Sequence, residues 1–226
     1  MKENNEDKVK QYFEVGAKDF DDIYNWMSGT QDKTLKRLIN KLFRKGMVER
    51  FKLALEECEP NKTILDVGCG SGRITIALAE LGAHITGIDY SLQMIELAKE
   101  YLKKYEIENN TKLNIKFIYS NFIQNYNSAE KFDVSLALGV TDYIQNPIPL
   151  LLKMKDLSKE RLIVSYPAKF TIQMPLRKIW LWTKKCPVYF YTKKRIKAIY
   201  NSINLTHYEI IEVAAGYFVK AYINSK

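Results

Sequence analysis

The sequence predicts a doubly wound α/β fold: a mostly parallel seven-stranded sheet with an antiparallel last strand, preceded by an N-terminal helical cap. Three observations carry this. Residues 62–166 alternate short apolar strands with amphipathic helices, as in crossover-linked parallel strands. Two apolar runs, His207–Val213 and Tyr217–Ile223, lie only three residues apart. That is too few for a helical crossover, so the pair must be antiparallel. The first sixty residues carry apolar stripes at helical spacing and read as helices that pack on something else.

In chain order, Val9–Trp26 places Val9, Tyr12, Phe13, Ala17, Phe20, Ile23 and Tyr24 at helical spacing, and Lys33–Cys58 carries a longer stripe closed by Pro60-Asn61. Thr63–Val67 is the first strand, and Arg73–Leu81 a helix closed by Gly82. Ala83–Ile88 is the second strand, and Ser91 the N-cap of a helix over Leu92–Tyr105. Ile115–Tyr119 and Phe132–Leu138 are the third and fourth strands. A helix starts near Pro147 or Pro149 and reaches about Asp156, Leu162–Tyr166 is the fifth strand, and Thr192 caps Lys193–Ser202. The expected division is a cap over 1–60 and one α/β domain over 61–226, with an insert at about 167–192.

A chain of 226 residues, 46% hydrophobic, can bury a sizeable core and excludes wholesale disorder. No apolar run reaches membrane-spanning length, and the polar segment Met1–Lys10 is no secretory signal. Cys58, Cys69 and Cys186 lie far apart, in no metal-ligand spacing and in odd number, so a reducing cytoplasm and no metal are expected. The net charge of +9 is concentrated: Arg161–Lys197 holds ten Lys or Arg and no Asp or Glu, interleaved with Trp180, Trp182, Tyr189, Phe190 and Tyr191. Two readings stay open, a solvated face or a surface for an anionic partner.

The chemistry centres on Ile64-Leu-Asp-Val-Gly-Cys-Gly-Ser-Gly72, a strand running through glycines into a helix. Glycines let the backbone turn tightly and approach a ligand at the carboxyl end of a strand, where doubly wound sheets bind nucleotides. Asp89 ends the next strand, and a carboxylate there can accept hydrogen bonds from two ribose hydroxyls. Asp66 can hold the loop through backbone amides or reach a ligand ammonium group through water. A dinucleotide site would want a further glycine at position 73, but Arg73 stands there.

The motif therefore resembles that of the class I S-adenosylmethionine-dependent methyltransferases, whose first motif is an acidic residue followed by Gly-x-Gly-x-Gly. The resemblance spans about Lys62–Ile223 and includes the antiparallel final strand. It implies S-adenosylmethionine as cofactor and S-adenosylhomocysteine as product, held by Asp66, Gly68, Cys69, Gly70, Asp89 and Tyr90. It also implies that the turn after the third strand holds the adenine. Asn121 departs from the usual Asp there but keeps an acceptor oxygen, and Phe122 can pack on the ring. Leu138 would lie against the sulfonium, and Asp142 and Tyr143 would face the acceptor.

Asp142 is then a general base, an orienting group or a cap for the next helix. Arg50, on the apolar stripe of the second helix, either pairs with an acidic neighbour or reaches the methionine carboxylate, as a basic residue upstream of the first motif does in some relatives. Tyr12 and Tyr24 can close over the cofactor or belong to the core. The layout of the whole chain is also similar to that of the magnesium-protoporphyrin methyltransferases: Tyr12-Phe13 with Ile23-Tyr24 after it, a long basic helix, and a late Ala215-Gly-Tyr-Phe218. It departs from them at Asp142-Tyr143, where they have His-Tyr.

The expected activity is methyl transfer to a small or medium acceptor, anionic or lipid-linked, on oxygen rather than nitrogen. The basic aromatic insert would form its mouth or touch anionic membrane at the periphery. The alternatives are an RNA methyltransferase, which the sequence does not favour because no appended RNA-binding module is visible, and a non-catalytic S-adenosylmethionine-binding partner protein.

Overall fold

In a computed structural model, the described residues are 5–22, 35–169, 187–214 and 216–223. Tyr24, Cys186 and the middle of the basic insert, with Trp180 and Trp182, lie outside them. Two helices come first, α1 (Asn5–Asp22) and α2 (Leu35–Glu56). Then β1 (Thr63–Val67), α3 (Arg73–Glu80), β2 (His84–Asp89), α4 (Leu92–Glu108) and β3 (Ile115–Tyr119) alternate. After β4 (Phe132–Ala137) come α5 (Ile148–Leu157), β5 (Ser158–Pro167), α6 (Lys193–Ser202), β6 (Tyr208–Val213) and β7 (Gly216–Tyr222).

The seven strands order as β3-β2-β1-β4-β5-β7-β6. All pairings from β3 to β5 are parallel, and β7 runs antiparallel to both β5 and β6. The chain thus winds outward from β1 in one direction and from β4 in the other. The crevice between them, at the carboxyl ends of the strands, is the place where such sheets take ligands.

Alternation along the central strands fills both faces. Leu65, Val67, Leu162 and Val164 join α5 and α6 in one core with Tyr166 and Tyr200. Ile64, Leu136 and Ile163 meet Ala54 of α2, Leu78 of α3 and Phe218 on the other face. The expected caps form: Ser91 Oγ accepts from the Met94 amide at 3.3 Å, and Thr192 Oγ1 from the Arg195 amide at 3.2 Å. The longest departure is β5, which starts at Ser158 and not at Leu162. Its polar Ser-Lys-Glu-Arg start has no apolar signal but pairs with Phe132 of β4 and, at Arg161, with Tyr222 of β7.

Candidate cofactor and acceptor site

The glycine turn is built from β2. The Gly68 and Cys69 amides donate to the Ile88 carbonyl at 2.7 and 3.1 Å, which folds the turn over the end of that strand. Asp89 then fastens it: Oδ2 accepts from the Gly70 amide and Oδ1 from the Ser91 amide, both at 2.9 Å. The sequence offered Asp66 for this loop-holding task. Asp66 Oδ2 takes the Thr75 hydroxyl instead, at 2.6 Å, tying β1 to α3.

Both carboxylates are buried. Burial pushes Asp89 up to about 6, against the pull of the Ser91, Gly70 and Tyr90 amides. Burial likewise lifts Asp66 to about 6, opposed by the Thr75 hydroxyl and helped by the Asp89 charge. Two carboxylates strained this way beside one turn suit a ligand that brings donors or positive charge. Ribose hydroxyls and a methionine ammonium group are such donors.

The turn also has the shape for a ligand. A Cβ added at Gly70 (φ 53°) or Gly139 (φ 81°) would enter open space. Gly72 is different, because an added Cβ would meet the Phe117 ring at 2.6 Å and Ala98 at 3.0 Å. So Gly70 faces the cleft while Gly72 serves packing. Cys69 offers the cleft only its backbone: its thiol is buried toward β2, 3.1 Å from where a Gly87 Cβ would stand.

The turn after β3 is organised differently from the sequence reading. Asn121 Oδ1 accepts from the Ile123 and Gln124 amides at 3.1 and 3.2 Å, so both its lone pairs serve the turn. The side chain offers a ligand its Nδ2 donor, which matches a ring nitrogen rather than the adenine amino group. Phe122 is buried and stacks on Tyr126 with ring centres 5.9 Å apart, within the α5–α6 core.

Leu138, the half-buried residue after β4, leads into the loop that carries Asp142 and Tyr143. Asp142 is 2% exposed in a short 3-10 helix over Thr141–Tyr143, and its carbonyl accepts from the Tyr189 amide at 2.8 Å. Asp142 is not the cap of α5: Asn146 Oδ1 accepts from the Ile148 amide there, at 3.2 Å. Tyr143 stands edge-on to Phe13 of α1 at 5.1 Å, in a cluster with Val9, Tyr12, Tyr90 and Val188. Tyr12 therefore sits with Tyr90, next to Asp89, and α1 spans both ends of the cleft. Its Lys10 ammonium donates to the Tyr119 hydroxyl at 3.2 Å, and Asn5 Nδ2 to the Tyr189 hydroxyl at 3.1 Å.

Arg50 reaches the same region from α2. Its Nε donates to the Gly46 carbonyl and its Nη1 to the Ser165 hydroxyl, each at 3.2 Å. Among the described residues it has no acidic partner. Sequence reasoning missed Ser165, whose only signal is proximity in the fold, and offered Tyr189 and Tyr191 only as aromatics of the basic insert, not as neighbours of Asp142 and Ile144. Tyr191 is buried, donates to the Ile144 carbonyl at 2.7 Å, and is pushed up to about 12 by burial, with Arg195 opposing and Asp142 adding. Among the described residues no cluster of His, Cys, Asp or Glu could hold a metal.

A family model described as "Methyltransferase domain" matches residues 58–203, well over half of the chain. The chain belongs to the methyltransferases. The ubiquinone biosynthesis O-methyltransferase of Actinobacillus pleuropneumoniae serotype 5b is 33% identical to this methyltransferase over 101 residues, 43% of this chain and 42% of that protein. The mitochondrial ubiquinone biosynthesis O-methyltransferase of Schizosaccharomyces pombe is 28% identical over 144 residues, 63% of this chain and 49% of that one. This methyltransferase thus spans less than half the length of either relative. In fold it is similar to magnesium protoporphyrin IX methyltransferase from Synechocystis PCC 6803, crystallised with bound SAH: TM-score 0.75 over 98% of this chain and all of that one, at 19% identity. The sheet is thus that of the class I, Rossmann-like, S-adenosylmethionine-dependent methyltransferases, with the layout the sequence resemblance implied.

Proposed function

We propose that this methyltransferase transfers a methyl group from S-adenosylmethionine to an oxygen of a small or medium acceptor with a flat apolar part and an anionic or lipid-linked group. One observation carries the cofactor side. Asp89, the open Gly70, the open Gly139 and Arg50 with its Ser165 partner follow one another over the ends of β2, β1, β4 and β5. Three strand spacings put the two ends of this row about 14 Å apart. A nucleoside with a methionine tail can lie along such a row.

In this reading Asp89 accepts the ribose hydroxyls, Asn121 Nδ2 and the adjoining backbone meet the adenine, and Asp66 faces the ammonium group. Arg50 takes the methionine carboxylate, while Leu138 and Gly139 border the sulfonium. When bound, the cofactor supplies a methyl group activated on sulfur, transferred by direct displacement. The protein's part is to align the acceptor oxygen, exclude water and accept or orient a proton. In this reading Asp142 accepts or orients that proton, and Phe13 and Tyr143 offer aromatic faces to the acceptor. Oxygen is favoured because the A. pleuropneumoniae and S. pombe relatives are named O-methyltransferases.

In the same reading residues 1–60 act as a cap over the cleft, and the basic insert recognises the acceptor's negative charge or meets anionic lipid at the periphery. No described helix is long and apolar enough to cross a membrane.

Calorimetric titration with S-adenosylhomocysteine tests the cofactor side, and wild-type protein that gives no binding heat would sink the assignment. A screen of phenolic and carboxylate acceptors, read by S-adenosylhomocysteine release, tests the acceptor side. Methylation confined to amines would overturn the oxygen reading.

A further inference from the structure

We infer that Ser165 is a positioning residue that aims Arg50 at the methionine carboxylate of the cofactor. The inference rests on the cofactor reading just given, and it names a residue to which that reading assigns no task of its own. Ser165 lies near the carboxyl end of β5, fully buried, paired with Phe218 of β7 on one side of the strand. Its hydroxyl accepts from two directions, from the Gly139 amide at 2.8 Å and from Arg50 Nη1 at 3.2 Å. Both lone pairs of the oxygen are thereby used. Its carbonyl accepts the Thr141 hydroxyl at 2.6 Å, so the same residue also fixes the start of the short helix that carries Asp142.

The consequence for Arg50 is geometric. The guanidinium is planar, with five N–H donors in a fixed fork. Nε is tied to Gly46 within α2 and Nη1 to Ser165 across the cleft. These two anchors fix the plane, and the Nη2 edge, taken up by no described residue, remains for a ligand. Gly139, joined to the same hydroxyl, opens onto free space, and the next residue, Val140, closes on the glycine turn. A Cβ at Gly68 would stand 2.4 Å from Val140 Cγ2. Ser165 therefore sets the distance between a fixed cation and the turn that takes the nucleoside. A half-buried guanidinium held this way, with no carboxylate partner among the described residues, fits an amino-acid carboxylate better than it fits solvent.

The test compares two ligands in each protein by calorimetry: S-adenosylhomocysteine and its decarboxylated analogue. Wild-type protein should prefer the carboxylated ligand by at least about tenfold, the size of a charge-assisted hydrogen bond. Ser165→Ala should erase most of that preference, beyond any smaller loss common to both ligands from the freed Gly139 amide. A merely structural role would weaken both ligands alike and keep the ratio. In an Arg50→Gln background, adding Ser165→Ala should change the ratio no further, because the two residues act through one contact. If Ser165→Ala does not fold, Ser165→Cys, nearly isosteric but a weak acceptor, should show the same loss of preference.

A preserved ratio in a folded Ser165 variant overturns the inference. Equal wild-type affinity for the two ligands also overturns it and leaves the nucleoside site intact. Failure of wild-type protein to bind either ligand overturns the cofactor reading itself.

Discussion

The two halves of the cleft are built by different means. Around β1 and β2 the contacts are local and mostly main-chain: two amides of the turn fall on one carbonyl of β2, and one side chain, Asp89, closes the loop. Beyond β4 they are side-chain contacts between distant parts of the chain. Asn5 of α1 meets Tyr189 across 184 positions, and Phe13 of the same helix stands edge-on to Tyr143. Glycines recur on the first side because the backbone is left-handed at Gly68, Gly70 and Gly72. Side-chain contacts can be exchanged one at a time, so the second side can be refitted to new acceptors on an unchanged sheet. In the proposed reading, the nucleoside end of the donor is held by the fold itself, while its methionine end and the acceptor depend on side chains brought from α1 and α2.

The largest expected effect tests that division on the donor side. Asp89→Ala should weaken S-adenosylhomocysteine binding by about 100-fold or more, since hydrogen bonds to a charged group are each worth about 1.5–3 kcal/mol. Calorimetry reads this, with circular dichroism to show that the fold survives; an unchanged affinity would break the comparison. Two glycines give a finer contrast. Gly72→Ala should lower stability by about 2–4 kcal/mol, because the new methyl meets Phe117 and Ala98. Gly70→Ala should cost only the strain of its left-handed backbone, about 1–2 kcal/mol, and fall chiefly on ligand affinity. Denaturant unfolding and the same titration separate the two.

On the acceptor side, Asp142→Asn should lower kcat by about tenfold and leave S-adenosylhomocysteine affinity unchanged. A loss nearer the 10²–10⁴-fold typical of general acid–base catalysis would instead make Asp142 the base. The pH dependence sharpens the donor side. Burial pushes Asp89 up to about 6, and in the proposed reading its charged form is the better acceptor for the ribose hydroxyls. Asp66, which in the proposed reading faces the ammonium group, is pushed up to about 6 as well, so affinity for S-adenosylhomocysteine should be flat above that pH and fall below it by up to about tenfold per pH unit for each of the two carboxylates. The smallest effect belongs to Phe13→Ala: loss of its edge-on contact with Tyr143, worth about 0.5–1.5 kcal/mol, should raise acceptor KM by about 2–10-fold with cofactor binding unchanged.

What was legible in the sequence follows the same line. β1, β3 and α6 lie where the apolar pattern put them, and Ser91 and Thr192 cap the helices named for them, because each signal is complete within a few residues. The polar start of β5 was invisible, since only its partners β4 and β7 make it a strand. At the site, Asp89 and the glycine turn could be read from spacing. The task of Asn121 could not, because the turn takes both lone pairs of its oxygen, and Phe122 turns into the core. Ser165, an unremarkable serine in an apolar run, gains its place only when α2 folds back over β5.

The position of β7 also bears on how the molecule comes to be made. Residues 216–222 are synthesised after β6, yet they fill the slot between β6 and β5. Until that segment emerges from the ribosome, β5 has one raw edge and β6 has no neighbour at all. Strands β1 to β4 can already pair by then, whereas β5, which bears Ser165, must wait for its second neighbour. Assembly of the nascent chain thus runs from the β1–β4 part of the sheet to its β5–β7 part, and a ribosome that stalls before residue 216 presents an open sheet edge for other chains to join.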